Sequence, residues 1–165
     1  MPSVYIETSI VSHATARSSN DPVVQVLQTQ ARLWWDTQRG DFDLYTSQTV
    51  LDEAALGDAS AAADRLRLLQ DLDLVPVNDE VRRIAGELLA RSLMPQKAAV
   101  DALHVAAAAV SGVDYLLTQN CRHIANAHVM PRVYAMLEEL GVPRPLICTP
   151  AEFLEDSDDD EESNT

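Results

Sequence analysis

Basic residues, aromatics, cysteines and long apolar runs are all scarce in this chain, and each scarcity removes a class of explanation. Lys and Arg number 12 against 26 Asp and Glu, giving a net charge of −14. Affinity for a phosphate backbone comes chiefly from Lys and Arg, so the acidic body is unhelpful for tight nonspecific binding to nucleic acid. Any chemistry on nucleic acid must rest on metal ions and a few local arginines. Aromatics make up only 5%, so the core must be built from Ala, Val, Leu and Ile. The two cysteines, Cys121 and Cys148, have neither metal-binding nor redox spacing and read as free thiols in a reducing compartment. No run reaches the roughly 18 to 20 apolar residues that cross a bilayer; the longest, around Ala98 to Val110, is interrupted by Asp101 and His104. The opening residues carry no basic start and apolar stretch of a secretory signal. A cytoplasmic protein with no membrane partner is expected.

What is present is ample core material, 47% apolar residues in a 165-residue chain, enough for one well-buried domain. Seven of the 26 acids lie between Glu155 and Glu162, leaving the body at 12 basic against 19 acidic residues. So polar and self-repelling a segment cannot offset its ordering entropy. The expected organisation is one domain over residues 1–154, with an acidic disordered tail over 155–165 that either solvates the chain or competes for a basic groove.

Short apolar runs alternate with helical patterns. Strands are expected at Ser3–Ile6, Phe42–Thr46, Leu74–Val77, Tyr115–Thr118 and Leu146–Cys148, the third weakened by Pro76. Between the first two, Ser12 to Asp21 reads as a polar connection. A helix then starts at Pro22 behind an Asp21 cap and ends near Gly40. Ser47 caps a helix through Val50, Leu51, Ala54 and Leu56, and Asp58 caps another over Ala59–Leu72. Further helices are expected from Asn78 or Asp79 through Leu89, over Lys97–Val110, and over His128–Leu140, with a last helical turn at Pro150–Leu154. The alternation implies an α/β fold, three layers (α/β/α) around a mainly parallel sheet of about five strands. Ligands in such sheets sit beyond the carboxyl ends of the strands. Glu7-Thr8-Ser9 and Thr118-Gln119-Asn120 should therefore face a common site.

Three acids merit individual reading. Glu7 directly follows an apolar strand, which suits a metal ligand, a surface acid or a loop cap equally; Thr8 and Ser9 either orient its carboxylate or serve as turn residues. Glu53 shares a helical stripe with Val50 and Leu56, so it leans inward while Asp52 faces water. Acids are also welcome in the first turns of helices. Asp101 stands among small residues, Ala98-Ala99-Val100-Asp101-Ala102-Leu103-His104, where an unpaired charge is costly. Its partner is either a metal ion or Lys97, one turn earlier. His104, one turn later, is a supporting group, a substrate contact or a hydrogen-bonded core histidine.

Taken in order, these segments resemble the PIN domain family. Val4-Tyr5-Ile6-Glu7-Thr8-Ser9 is similar to its opening strand, Ser47 to Glu53 to its second acidic position, and Asp101-Ala102-Leu103-His104-Val105-Ala106-Ala107-Ala108 to its third. Tyr115-Leu116-Leu117-Thr118-Gln119-Asn120 resembles the segment that often supplies a fourth acid. The resemblance runs from Ser3 to about Phe153. It implies a Mg²⁺- or Mn²⁺-dependent endoribonuclease, similar to VapC-type toxins, with an RNA substrate, an antitoxin protein and a homodimeric state. Glu7, Glu53 and Asp101 would hold metal and Asn120 would complete the catalytic set. Thr8, Ser9, Thr118 and His104 would support it, and Arg122 and His123 would contact phosphate. The sequence departs from the family where Glu7 replaces the usual Asp and Asn120 stands in the fourth position. That leaves open a weakened PIN-like module acting through binding alone. Trp34 and Trp35 are candidates for an interface or for the core.

Overall fold

The computed structural model describes residues 1–154; the expected acidic tail lies outside them. Five strands form one sheet: β1 (Ser3–Ile6), β2 (Asp43–Thr46), β3 (Asp73–Leu74), β4 (Tyr115–Leu117) and β5 (Leu146–Cys148), in the order β3-β2-β1-β4-β5. Every pairing is parallel, with Val4 opposite Leu44 on one side of β1 and opposite Tyr115 on the other. Seven α-helices flank the sheet: α1 (Thr8–Thr15), α2 (Pro22–Thr37), α3 (Gln48–Ala54), α4 (Ala59–Leu69), α5 (Asp79–Ala90), α6 (Ala99–Ser111) and α7 (Met130–Glu139). This is the three-layer α/β/α arrangement, with the sheet parallel throughout.

Central strands covered on both faces should be apolar on both. Val4, Tyr5 and Ile6 are all fully buried, as are Leu116 and Leu117. On one face lies α6, whose Ala102 and Ala106 to Ala109 are buried and allow its backbone to approach closely. Trp34 and Trp35 are 0% and 5% exposed, and Trp34 stacks at a tilt on Phe42 with centroids 5.6 Å apart. Both tryptophans therefore belong to the core, and neither offers an interface. The face of α2 is narrower than its apolar content suggests, since Val23 and Leu33 stay exposed while Gln28 is buried. Gln28 is satisfied by the loop before its own helix, donating to Arg17 O and accepting from Ser19 N–H.

Several boundaries differ from the sequence reading for local reasons. Ser12 to Thr15, expected within a polar connection, belongs to the helix Thr8–Thr15, which Glu7 N-caps by accepting from Ser9 N–H. β3 is only Asp73–Leu74; Val75 N–H still donates to Thr46 O, and Pro76, which has no N–H, ends the ladder. α2 stops at Thr37, before Gly40, and a 3₁₀ turn over Arg39–Asp41 leads into β2. A similar turn over Gln96–Ala98 precedes α6, which Gly112 ends in the left-handed region at φ 75°.

The strand order places a topological switch point between β1 and β4. Chain connections leave β1 toward β2 and β3, then return to its other side, and this opens a crevice at the carboxyl ends of the two central strands.

Candidate active site

Glu7 leaves β1 at that crevice, its backbone N–H donating to Leu117 O at 3.1 Å. Its side chain is held on both oxygens although the residue is only 4% exposed. Ser9 N–H donates to Oε2 at 3.1 Å, and the hydroxyls of Ser9 and Thr118 both donate to Oε1. Each hydroxyl in turn accepts a backbone N–H from the loop after β4: Gln119 onto Ser9 Oγ at 2.8 Å, and Asn120 onto Thr118 Oγ1 at 3.0 Å. The segments following β1 and β4 are thus latched together through one carboxylate, and the N-terminus of α1 favours its negative charge.

Glu53 comes from α3 on the neighbouring connection. Asp52 is exposed and Glu53 half-buried, as the helical stripe requires, although Leu56 on the same stripe is exposed. Its Oε1 accepts from Thr8 Oγ1 at 2.7 Å and from His104 Nε2. Burial alone would raise the Glu53 pKa. The hydrogen bonds from His104 and from the Thr8 hydroxyl outweigh burial and hold the carboxyl below its ordinary range. His104 is a fully buried, hydrogen-bonded core histidine. Its Nδ1 meets the Tyr5 hydroxyl at 2.9 Å, and that hydroxyl meets Ser47 Oγ at 2.7 Å.

Glu7, Glu53 and His104 each offer a ligand atom within 4.8 Å of the others. Asp101, in the first turn of α6, is not part of this closest set. Its Oδ2 faces His123 Nδ1 at 2.9 Å, and Lys97 forms no ion pair with it among the described residues. Asn120 joins the two halves: its Oδ1 accepts His123 N–H at 3.1 Å, fixing the turn that carries His123. One hydrogen-bonded path therefore runs from Glu7 through Thr118, Asn120 and His123 to Asp101. Arg122 is exposed beside it.

The charge balance defines what this arrangement can hold. Among the described residues, no Lys or Arg forms an ion pair with Glu7, Glu53 or Asp101. Their partners are hydroxyls, a backbone N–H and imidazoles. Glu53 Oε2 and Asp101 Oδ1 receive no hydrogen bond among the described residues. Carboxylates gathered without a cation, with oxygens left over, fit a hard divalent ion that keeps several waters.

Three residues of this network, Tyr5, Ser47 and His13, escaped the sequence reading. Tyr5 and Ser47 look like strand filler and a helix cap. Ser47 does cap α3, yet it also reaches Tyr5 across the sheet. His13 and Gln119 pair with each other, and Gln119 Nε2 donates on to Leu27 O at 2.9 Å. A helix read from Thr8 would have placed His13 one turn after Ser9 and signalled it.

The fold and this crevice define an α/β protein with acidic side chains gathered at the switch point of its sheet, and the comparisons give the family. The PIN domain profile matches residues 4–128, most of the chain, so the chain belongs to the PIN domain family. No curated protein sequence matches it. Among solved structures, it is similar to the sarcin-ricin loop cleaving toxin VapC20 of Mycobacterium tuberculosis, with 20% identity and a TM-score of 0.58 over 76% of this chain and 95% of that one. It is also similar to VapBC2 from Rickettsia felis, solved bound to a DNA fragment from its promoter, with 15% identity and a TM-score of 0.50 over 88% of this chain and 97% of that one. At these identities the likeness establishes the shared fold.

Proposed function

We propose that this protein is a Mg²⁺- or Mn²⁺-dependent endoribonuclease of the PIN type, acting as the toxin of a toxin–antitoxin pair in the cytoplasm. The observation that carries the reading is the approach of buried Glu7 and half-buried Glu53, with Asp101 linked to them by hydrogen bonds and no Lys or Arg paired to any of the three among the described residues, at the switch point of a parallel sheet. Glu7 and Asp101 would hold the principal ion, with Glu53 binding it through water or bridging to a second. When bound, the ion supplies charge stabilisation at the scissile phosphate and acidifies the attacking water. The chain's own residues set the geometry. Ser9 and Thr118 fix Glu7, Thr8 and His104 fix Glu53, and His123 and Asn120 fix the approach to Asp101. Arg122 lies on the rim, suited to a neighbouring phosphate.

The toxin reading is supported by the family and by structural neighbours whose names describe a toxin and a promoter-bound toxin–antitoxin complex. Its implied partners are a single-stranded RNA substrate, an antitoxin protein and a second copy of the chain. The folded unit is residues 1–154, followed by the acidic tail 155–165. The decisive experiment is cleavage of a mixed single-stranded RNA pool with and without Mn²⁺. Asp101→Asn and Glu53→Gln are each expected to abolish metal-dependent cleavage. Undiminished activity in both variants refutes the assignment.

A further inference from the structure

The hydrogen-bond directions around Glu53 fix more than its position. A carboxylate only accepts, so His104 must present N–H at Nε2, where it meets Glu53 Oε1. In the neutral ring Nδ1 is then an acceptor, and the Tyr5 hydroxyl at 2.9 Å must donate to it. With its own proton committed, the Tyr5 oxygen receives the Ser47 hydroxyl at 2.7 Å. The chain of donors runs one way: Ser47 to Tyr5, Tyr5 to His104, His104 to Glu53.

Each member is locked by its element. Tyr5 lies in the central strand, Ser47 closes β2 and caps α3, and His104 sits within α6; all three are 0% exposed. We propose that Tyr5, through His104, is a positioning residue that fixes the imidazole tautomer and aims Glu53 Oε2 into the carboxylate crevice for divalent-cation binding. The proposal rests on the metal-dependent reading above and concerns side chains that touch neither substrate nor ion. Imidazoles and carboxylates at metal sites depend on such outer partners, and loss of one commonly weakens metal affinity by about 10–100-fold.

The test uses the full chain and Mn²⁺ as the probe. Isothermal titration at a temperature well below the unfolding midpoint compares the wild type, Tyr5→Phe and Glu53→Gln. Glu53→Gln is expected to remove most Mn²⁺ affinity, and Tyr5→Phe to weaken it by about tenfold. Excess Mn²⁺ should restore cleavage in Tyr5→Phe, which separates lost metal affinity from lost chemistry. Affinity within twofold of wild type in Tyr5→Phe, while Glu53→Gln loses binding, overturns the positioning role alone. Wild-type Mn²⁺ affinity that does not depend on Glu53 overturns the metal reading, and this proposal with it. The ¹⁵N spectrum of the wild-type imidazoles gives an independent check that needs no variant. His104 should carry its proton on Nε2 only, and a proton on Nδ1, alone or together with one on Nε2, overturns the donor chain.

Discussion

Replacing Thr118 by Val tests whether hydroxyls, and not the sheet alone, hold Glu7 in place. The two side chains are nearly isosteric, so the fully buried site loses no packing volume, and the change falls on two hydrogen bonds. One is the charge-assisted donation from Thr118 Oγ1 to Glu7 Oε1; a bond to a charged group contributes about 1.5–3 kcal/mol. The other is the Asn120 N–H onto the same oxygen at 3.0 Å, a neutral bond of about 1 kcal/mol. Ser9 still holds Glu7, so the loss is about 3 kcal/mol, near the middle of the combined range. For a chain of this size, that lowers the unfolding midpoint by about 6–12 °C. Thr118→Ser keeps both bonds and removes one buried methyl, worth about 1 kcal/mol and so about 2–4 °C. Calorimetry in EDTA measures stability, and titration with Mn²⁺ measures the site, where Val is expected to cost about tenfold in affinity. Equal midpoints for the Val and Ser variants would refute the argument, because only the hydroxyl distinguishes them in hydrogen bonding.

The two thiols should separate cleanly. Cys121 is exposed and Cys148 buried, with burial pushing the Cys148 thiol up to about 12, so a thiol reagent should label one site per native chain and two in denaturant; two in the native state would contradict the core assignment. Arg91 donates to Glu139 at 2.8 Å and holds that carboxyl below its ordinary 4.5. A depressed acid stabilises above its unfolded pKa and loses that contribution as pH falls through the folded one, so the midpoint gap between wild type and Arg91→Ala should close in acid; a gap independent of pH would remove the ion pair as its cause.

The strands and their order of function were legible because burial on both faces writes itself as continuous apolar sequence. Val4-Tyr5-Ile6 and Tyr115-Leu116-Leu117 have the continuous apolar pattern of central strands, and the parallel-sheet rule puts the segments after them, Glu7 and Thr118 included, at a common site. The acids Glu53 and Asp101 were visible as charges where helices needed apolar residues. What the sequence hid was mostly reciprocal. Glu7 serves at once as site carboxylate and as cap, so the helix it starts looked like a loop. The pairing of Asp101 with His123 spans 22 positions and depends on a turn that Asn120 anchors, whereas Lys97, favoured by helical spacing, takes no part. Tyr5 gave no signal, since an aromatic in a strand is ordinary until a histidine 99 residues away meets its hydroxyl.

The scarcity of basic residues and the design of the crevice have a common logic. A carboxylate can be fixed either by Lys or Arg, which cancels its charge, or by neutral donors, which leave the charge available. Here Ser9, Thr118 and Thr8 supply hydroxyls, and imidazoles lie against Glu53 and Asp101. Meanwhile the arginines that do form ion pairs, Arg67, Arg82, Arg91 and Arg144, pair with Asp64, Asp79, Glu87, Glu138 and Glu139, away from the crevice. Buried negative charge left unneutralised is unfavourable in the empty protein and becomes favourable once a cation arrives. On the proposed metal reading, a guanidinium introduced beside Glu53 would stabilise the fold and abolish the attraction for metal in the same step, so such a site is built from hydroxyls and imidazoles while the few paired arginines lie elsewhere.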